Sequence, residues 1–335
     1  MSLKVKSRPK VFVTRMIAPA ALARLRKHAI VEVWPRATPP PDAQLKRHAR
    51  EADALLTMVT DRIDAALIAS APKVRVISNL AVGLDNIDIA AATAAGIAVS
   101  HTPGVLTEAT ADLAFALLMA AARSISQGDR EVRAGQWLTW GPAVLLGDDV
   151  WGATLGIIGW GKIGRAMGRR GLGFDMRVLH SGRSTKDVEP VAGTARVSMK
   201  RLLQESDFVS LHLPLTAETR HLIGAKELAR MKPGAILINT ARGGIVDQRA
   251  LYRALKSGHL GGAGLDVTDP EPMAHDDPLL KLPNVVVTPH IASATYTTRN
   301  RMADIATENI VAVLRGQLPP FCANPQVVLR RPASD

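Results

Sequence analysis

The chain of 335 residues has a single cysteine, Cys322, so no disulfide can form within it. A disulfide-stapled scaffold is excluded, and the lone thiol points to a reducing, cytosolic setting. Long apolar runs are also missing. The longest, residues 113–122, is ten residues, far short of the ~20 that a membrane-spanning helix needs. Met1-Ser2-Leu3-Lys4 leads into no apolar stretch with a cleavage site, so no signal peptide is expected. Aromatic residues are scarce at 4%, which makes Trp137 and Trp140, three positions apart, noticeable. Acidic residues are nearly absent from the first fifty positions, where twelve Lys and Arg face only Glu32 and Asp42. That segment carries +10 of the net charge of +12. Its cations sit in helix-like patterns such as residues 20–27, with no interleaved aromatics. It therefore reads as a solvated basic surface that steers anionic ligands, not as a nucleic-acid site. What remains is an ordinary globular mix, 47% hydrophobic and 21% charged, long enough for about two domains.

Short apolar runs alternate with helical patterns, the signature of a parallel-sheet α/β protein. Residues 10–14, 30–34, 54–58, 74–80 and 97–100 read as strands, with helices near 19–28, 41–52, 64–71 and 88–95. Pro19 and Pro41 suit first-turn helix positions, and Gly96 suits a helix stop. A long helix begins near Thr107, apolar on most faces and so buried. A second series of strands follows at 154–159, 177–181, 208–212, 235–239, 264–267 and 285–288. A helix over about 293–314 closes the chain and is expected to return to the first unit. The expectation is an α/β protein of two doubly wound parallel-sheet domains, Rossmann-like or flavodoxin-like, with an active-site cleft between them. Residues 1–101 plus 293–335 would form a discontinuous substrate-binding domain, and 102–292 a dinucleotide-binding domain.

The strongest local signal is Leu155-Gly-Ile-Ile-Gly159-Trp-Gly161-Lys162-Ile163-Gly164. An apolar strand runs into Gly-x-Gly-x-x-Gly and then into a helix-forming stretch. Gly159 permits a tight turn, Gly161 lets a pyrophosphate approach the backbone, and Gly164 allows close helix–strand packing. The helix N-terminus offers free N–H groups to phosphate. An NAD site places Asp or Glu about 20 residues on, against the adenosine ribose. The corresponding strand end here reads Ser181-Gly182-Arg183-Ser184, without a carboxylate. Nothing there repels a 2′-phosphate, and Arg183 can hold one through a charge-assisted fork. NADPH is expected over NADH.

Three further turn segments each follow an expected strand: Asn239-Thr-Ala-Arg242-Gly-Gly, Asp266-Val-Thr-Asp-Pro-Glu271-Pro and Thr288-Pro-His290-Ile. In open α/β sheets the carboxyl ends of strands line the ligand crevice. Reducing a 2-oxo acid requires a cation to hold the substrate, an acid to protonate the forming alkoxide and a group that keeps that acid charged. Arg242, His290 and Glu271 fit those three roles in that order.

These motifs, together with Val82-Gly83-Leu-Asp85-Asn86-Ile-Asp88 and His212-Leu-Pro-Leu-Thr216, resemble the D-isomer-specific 2-hydroxyacid dehydrogenase family over nearly the whole chain. The resemblance implies a catalytic set of Arg242, Glu271 and His290, and a substrate carboxylate received at the backbone of Val82 and Gly83. It implies that Thr110, Leu213, Pro214, Thr240, Ala241 and Asp266 line the cofactor, with Gly159 to Gly164, Gly182, Arg183 and Ser184, and with His290 at its reactive end. Residues 102–112 and the Ser-Gly-Arg-Ser strand end look most like the glyoxylate/hydroxypyruvate reductase branch, which implies NADPH and a homodimer built around residues 105–150. Trp140 would then stand at the partner's substrate site or within the interface. The chain is dissimilar to branches with a C-terminal regulatory domain, to formate dehydrogenases, which carry glutamine where Glu271 sits, and to NAD-dependent D-lactate dehydrogenases, which carry an acidic strand end. The expected partners are a small 2-oxo acid and a second copy of the chain, not nucleic acid or membrane. The alternatives are a dehydrogenase of larger 2-oxo acids using NADP or NAD, or a non-enzymatic corepressor-like binding protein on the same scaffold.

Overall fold

The computed structural model describes residues 8–182 and 191–330. Its strands are β1 (Lys10–Val13), β2 (Ile30–Val33), β3 (Ala54–Thr57), β4 (Val76–Asn79), β5 (Ala98–Ser100), β6 (Thr154–Ile158) and β7 (Arg177–Ser181), then β8 (Thr194–Arg196), β9 (Phe208–Leu211), β10 (Ile236–Asn239), β11 (Gly262–Leu265) and β12 (Val285–Val287). The helices are α1 (Pro19–Arg26), α2 (Asp42–Glu51), α3 (Ala65–Ala69), α4 (Ile89–Ala94), α5 (Thr107–Ala122) and α6 (Ile125–Arg133). They continue with α7 (Lys162–Gly173), α8 (Met199–Glu205), α9 (Ala225–Leu228), α10 (Gln248–Lys256) and α11 (Tyr296–Leu314).

The chain divides into two compact units, Met1–Leu106 with Thr295–Asp335, and Thr107–Ala294. The sequence reading put the divisions after residues 101 and 292. They fall a few residues later, where α5 starts and where Thr295 caps α11 by accepting from the Thr298 amide.

In the first unit five parallel strands run in the order β2-β1-β3-β4-β5, the flavodoxin-like arrangement. β3 and β4 are buried at every position, as expected of strands covered on both faces, while edge strand β2 is exposed at alternate residues. Phe12, Leu45, Leu55, Ile68, Ile77 and Val99 form the core on the side of α2, α3 and α4. On the other side α1 and α11 pack together, and α11 lies along β4, burying Met302, Ala306 and Ile310. Asp64 and Asp88 cap α3 and α4 by accepting from the amides of Leu67 and Ala91 at 2.9 Å each.

In the second unit seven parallel strands run β8-β7-β6-β9-β10-β11-β12. Counted within the unit this is 3-2-1-4-5-6-7, the dinucleotide-binding order, whose direction reverses between β6 and β9. α5 packs on α7, β10 and β11 and buries Ala111, Ala114, Leu117 and Leu118, so its apolar excess serves a core. Among the described residues no single helix is long and apolar enough to cross a membrane. The strand and helix patterns of the sequence announce neither β8 nor α6. β8 is a three-residue edge strand with little burial, and α6 follows a break at Ser124, whose φ of 49° is left-handed.

Candidate active site

The crevice end of the second unit is built first by the turn after β6. Gly159 has a φ of 99°, and a Cβ there would lie 2.3 Å from the His212 carbonyl oxygen, which follows β9 across the switch point. A Cβ on Gly164 would meet the Gly159 oxygen at 2.1 Å, so α7 can approach β6 only without one. Gly161 has open space where a side chain would stand. α7, opened by Lys162 and Ile163, has no side-chain cap and no acidic residue in its first turn, leaving its leading N–H groups and dipole for an anion. Thr240, just past β10, has a buried hydroxyl with no hydrogen-bond partner among the described residues. A bare phosphate turn and an unsatisfied buried hydroxyl at the ends of one sheet fit a nicotinamide dinucleotide.

The turn after β10 is shaped by Asn239, which is 1% exposed. Its amide donates to the Arg242 carbonyl at 2.9 Å and its oxygen accepts from the Ala241 N–H at 3.0 Å. This holds Arg242 in an extended conformation with Nη1 donating to the Ala241 carbonyl at 2.9 Å. Gly243 then presses on the next strand's loop, since a Cβ there would overlap the Thr268 carbonyl at 2.0 Å.

Asp266, after β11, is buried, and its carboxylate is fully engaged. It accepts from Thr288 Oγ1 at 2.5 Å and from the amides of Ile291 and Ala292 at 2.8 Å each. Its carbonyl accepts from the His290 N–H at 2.9 Å. These bonds hold His290 at a φ of 55°, a conformation that costs a non-glycine residue on the order of 1–3 kcal/mol. Strain of that kind persists only where surrounding contacts impose it. The imidazole Nδ1 donates to Glu271 Oε1 at 2.5 Å, with both side chains about a quarter to a third exposed. Because Glu271 accepts the hydrogen bond from Nδ1–H, Nε2 is the ring nitrogen with no hydrogen-bond partner among the described residues.

Residues 115–292 match the profile of the D-isomer specific 2-hydroxyacid dehydrogenase, NAD binding domain. A glyoxylate reductase from Korarchaeum cryptofilum is 51% identical over 327 residues, 97% of this chain and 98% of that protein. The chain belongs to the D-2-hydroxyacid dehydrogenase family. Among solved structures, a protein from Thermus thermophilus superposes with a TM-score of 0.89 at 50% identity, covering 94% of this chain and 99% of that one. An NADPH-dependent glyoxylate/hydroxypyruvate reductase from Sinorhizobium meliloti, solved with NADP and malonate, gives 0.86 at 32% identity over 97% and 99% of the two chains.

Other residues singled out by this family's motifs have definite places. Thr110 is buried in the first turns of α5, Leu213 is half-buried, and Pro214 is exposed after β9. Gly182 follows β7, while Arg183 and Ser184 lie outside the described residues. Val82 and Gly83 follow β4 in the first unit, with Val82 exposed. Trp140 lies in an irregular segment and is 80% exposed.

Sequence reasoning missed Arg196, whose Nη2 donates to the Gly182 carbonyl at 3.1 Å and sets a cation beside the end of β7. It also missed the stack of Trp160 on His180, with ring centroids 4.0 Å apart. Burial, and then the charge of Arg196, push the His180 imidazole below its ordinary value. The sole advance signal for Arg196 was a cation just before a helix start, which sequence alone cannot pair with Gly182.

Proposed function

We propose that the chain reduces small 2-oxo acids, glyoxylate and hydroxypyruvate foremost, to 2-hydroxy acids with NADPH. The observation that carries this is the bond between His290 and Glu271 on the same sheet edge as the glycine turn. NADPH, when bound, supplies the hydride that reaches the keto carbon. Arg242 holds the substrate's carboxylate and carbonyl through its guanidinium fork. His290 gives the proton from Nε2 to the carbonyl oxygen as negative charge develops there. Glu271 fixes the imidazole tautomer and balances the charge of the imidazolium. Val82 and Gly83 receive the carboxylate at their amides.

The cofactor would lie on Gly159, Gly161, Lys162, Ile163 and Gly164, with Thr110, Leu213, Pro214, Thr240 and Ala241 along it and Gly182, Arg183 and Ser184 at the adenosine end. Asp266 acts through the His290 loop, since both of its carboxylate oxygens are already taken. A second copy of the chain would cover the exposed apolar segment that holds Trp140.

Oxidation of NADPH and of NADH with glyoxylate, hydroxypyruvate, pyruvate and phenylpyruvate tests substrate, reaction and cofactor together. Turnover should be fastest with NADPH and the two smallest acids, and no turnover with any of them defeats the reading. Arg183→Ala should weaken NADPH much more than NADH, and equal weakening would remove the 2′-phosphate assignment.

A further inference from the structure

Three consecutive carbonyls in the loop after β4 are held by donors of the same unit. The Ala81 oxygen accepts from the Thr102 N–H at 2.7 Å and from Thr102 Oγ1 at 3.1 Å. The Val82 oxygen lies 3.0 Å from His101 Nδ1. A carbonyl can only accept, so this nitrogen carries the proton. The Gly83 oxygen accepts from Asn79 Nδ2 at 3.1 Å. Asn79 is itself fixed, because its oxygen accepts from Thr57 Oγ1 at 3.0 Å and its amide also donates to Asn86 Oδ1 at 3.0 Å. Asn86 in turn donates to the carbonyls of Met58 and Asp61.

In a planar trans peptide the carbonyl and the following N–H point in opposite directions. Holding the Ala81 oxygen therefore sets the direction of the Val82 N–H, and holding the Val82 oxygen sets that of the Gly83 N–H. Among the described residues neither amide has an acceptor. Two neighbouring N–H groups are thus turned away from the donors that fix their peptides, at the C-terminal edge of a parallel sheet. Such a pair of oriented amides receives an anion.

We propose that His101 and Thr102 are positioning residues for the substrate carboxylate, aiming the amides of Gly83 and Val82 by holding the carbonyls of Val82 and Ala81. The proposal rests on the 2-oxo acid reading above. Neither residue touches the reacting atoms, and both act through the loop.

The test compares wild type, His101→Leu and His101→Asn at saturating NADPH, with glyoxylate as substrate and oxalate as competitor. His101→Leu cannot donate and should raise both KM for glyoxylate and Ki for oxalate about tenfold or more, the scale of a lost hydrogen bond to a charged group. Its kcat, NADPH affinity and Tm should stay near wild type. Asn places an amide donor where Nδ1 stood, so His101→Asn should recover most of the affinity. Independently of any variant, oxalate should shift the backbone 15N–1H resonances of Val82 and Gly83 in the wild-type protein. Unmoved resonances, or a His101→Leu enzyme with wild-type KM and Ki, would overturn the proposal while leaving the reductase reading intact. A wild-type enzyme inert toward every 2-oxo acid would instead defeat that reading.

Discussion

His290 is a histidine in a backbone conformation that favours glycine, kept there by a buried aspartate and aligned by a glutamate. Position and orientation are thus supplied by different residues, which makes their effects separable. His290→Ala should lower kcat by about 10²–10⁴-fold, the usual worth of a placed general acid, while NADPH titration by fluorescence stays close to wild type. Near-native turnover would take His290 out of the mechanism. His212 gives a different measurement. Desolvation pushes its imidazole from 6.5 to about 3, and Ser210 Oγ lies 2.9 Å from its Nε2. Between those values the unfolded chain binds a proton that the folded one does not. The contribution of His212 to stability should therefore be constant above about pH 6.5 and fall as the pH drops below it, with a slope of at most about 1.4 kcal/mol per pH unit. Urea unfolding of wild type and His212→Gln at pH 7.5, 6.0 and 5.0 should show that slope reduced in the variant, and parallel curves would contradict it.

At the scale of elements, the catalytic edge depends on loops that touch without side chains. Gly243 lies against the Thr268 carbonyl, so Gly243→Ala must push apart the turns that carry Arg242 and Glu271. We expect a loss of about 1–3 kcal/mol in urea unfolding and a fall in kcat/KM larger than any change in NADPH affinity. A variant equal to wild type in both would show that the two turns are not coupled.

Much of this architecture was legible in the sequence because β-runs buried on both faces and a glycine turn are local patterns. β3, β4, β9 and β10 are buried at every position and mostly apolar, and Gly159 to Gly164 carry their own geometry. β8 was not legible, since its Thr-Ala-Arg run is an exposed edge with no alternation to read. Nor were the bonds of Asn79 to Gly83, His101 to Val82 and Asp266 to Ile291. The last two join residues brought together by strand order, and nothing in the spacing of 82 and 101 or of 266 and 291 announces that order. Asp266 could be recognised as a motif residue, but its grip on the His290 loop belongs to tertiary structure.

For the whole molecule, the second unit carries an apolar surface out of proportion to its few aromatics. Leu138 is 91% exposed and Trp140 80%, with Trp137 and Leu146 nearby in sequence and also exposed. Exposed apolar groups gathered in one segment mark an interaction surface. We expect a homodimer by light scattering, and Leu138→Asp with Trp140→Asp should shift it to monomer. A wild-type monomer at micromolar concentration would refute the homodimer.

The path of the chain also bears on its synthesis. α11 covers one face of the first sheet, yet the entire second unit leaves the ribosome before it. The first hundred residues must wait with β3 and β4 uncovered on that face while the later unit closes around its own cores. Nascent chains arrested before residue 295 should therefore stay sensitive to protease in their early part and become resistant only once the last helix emerges.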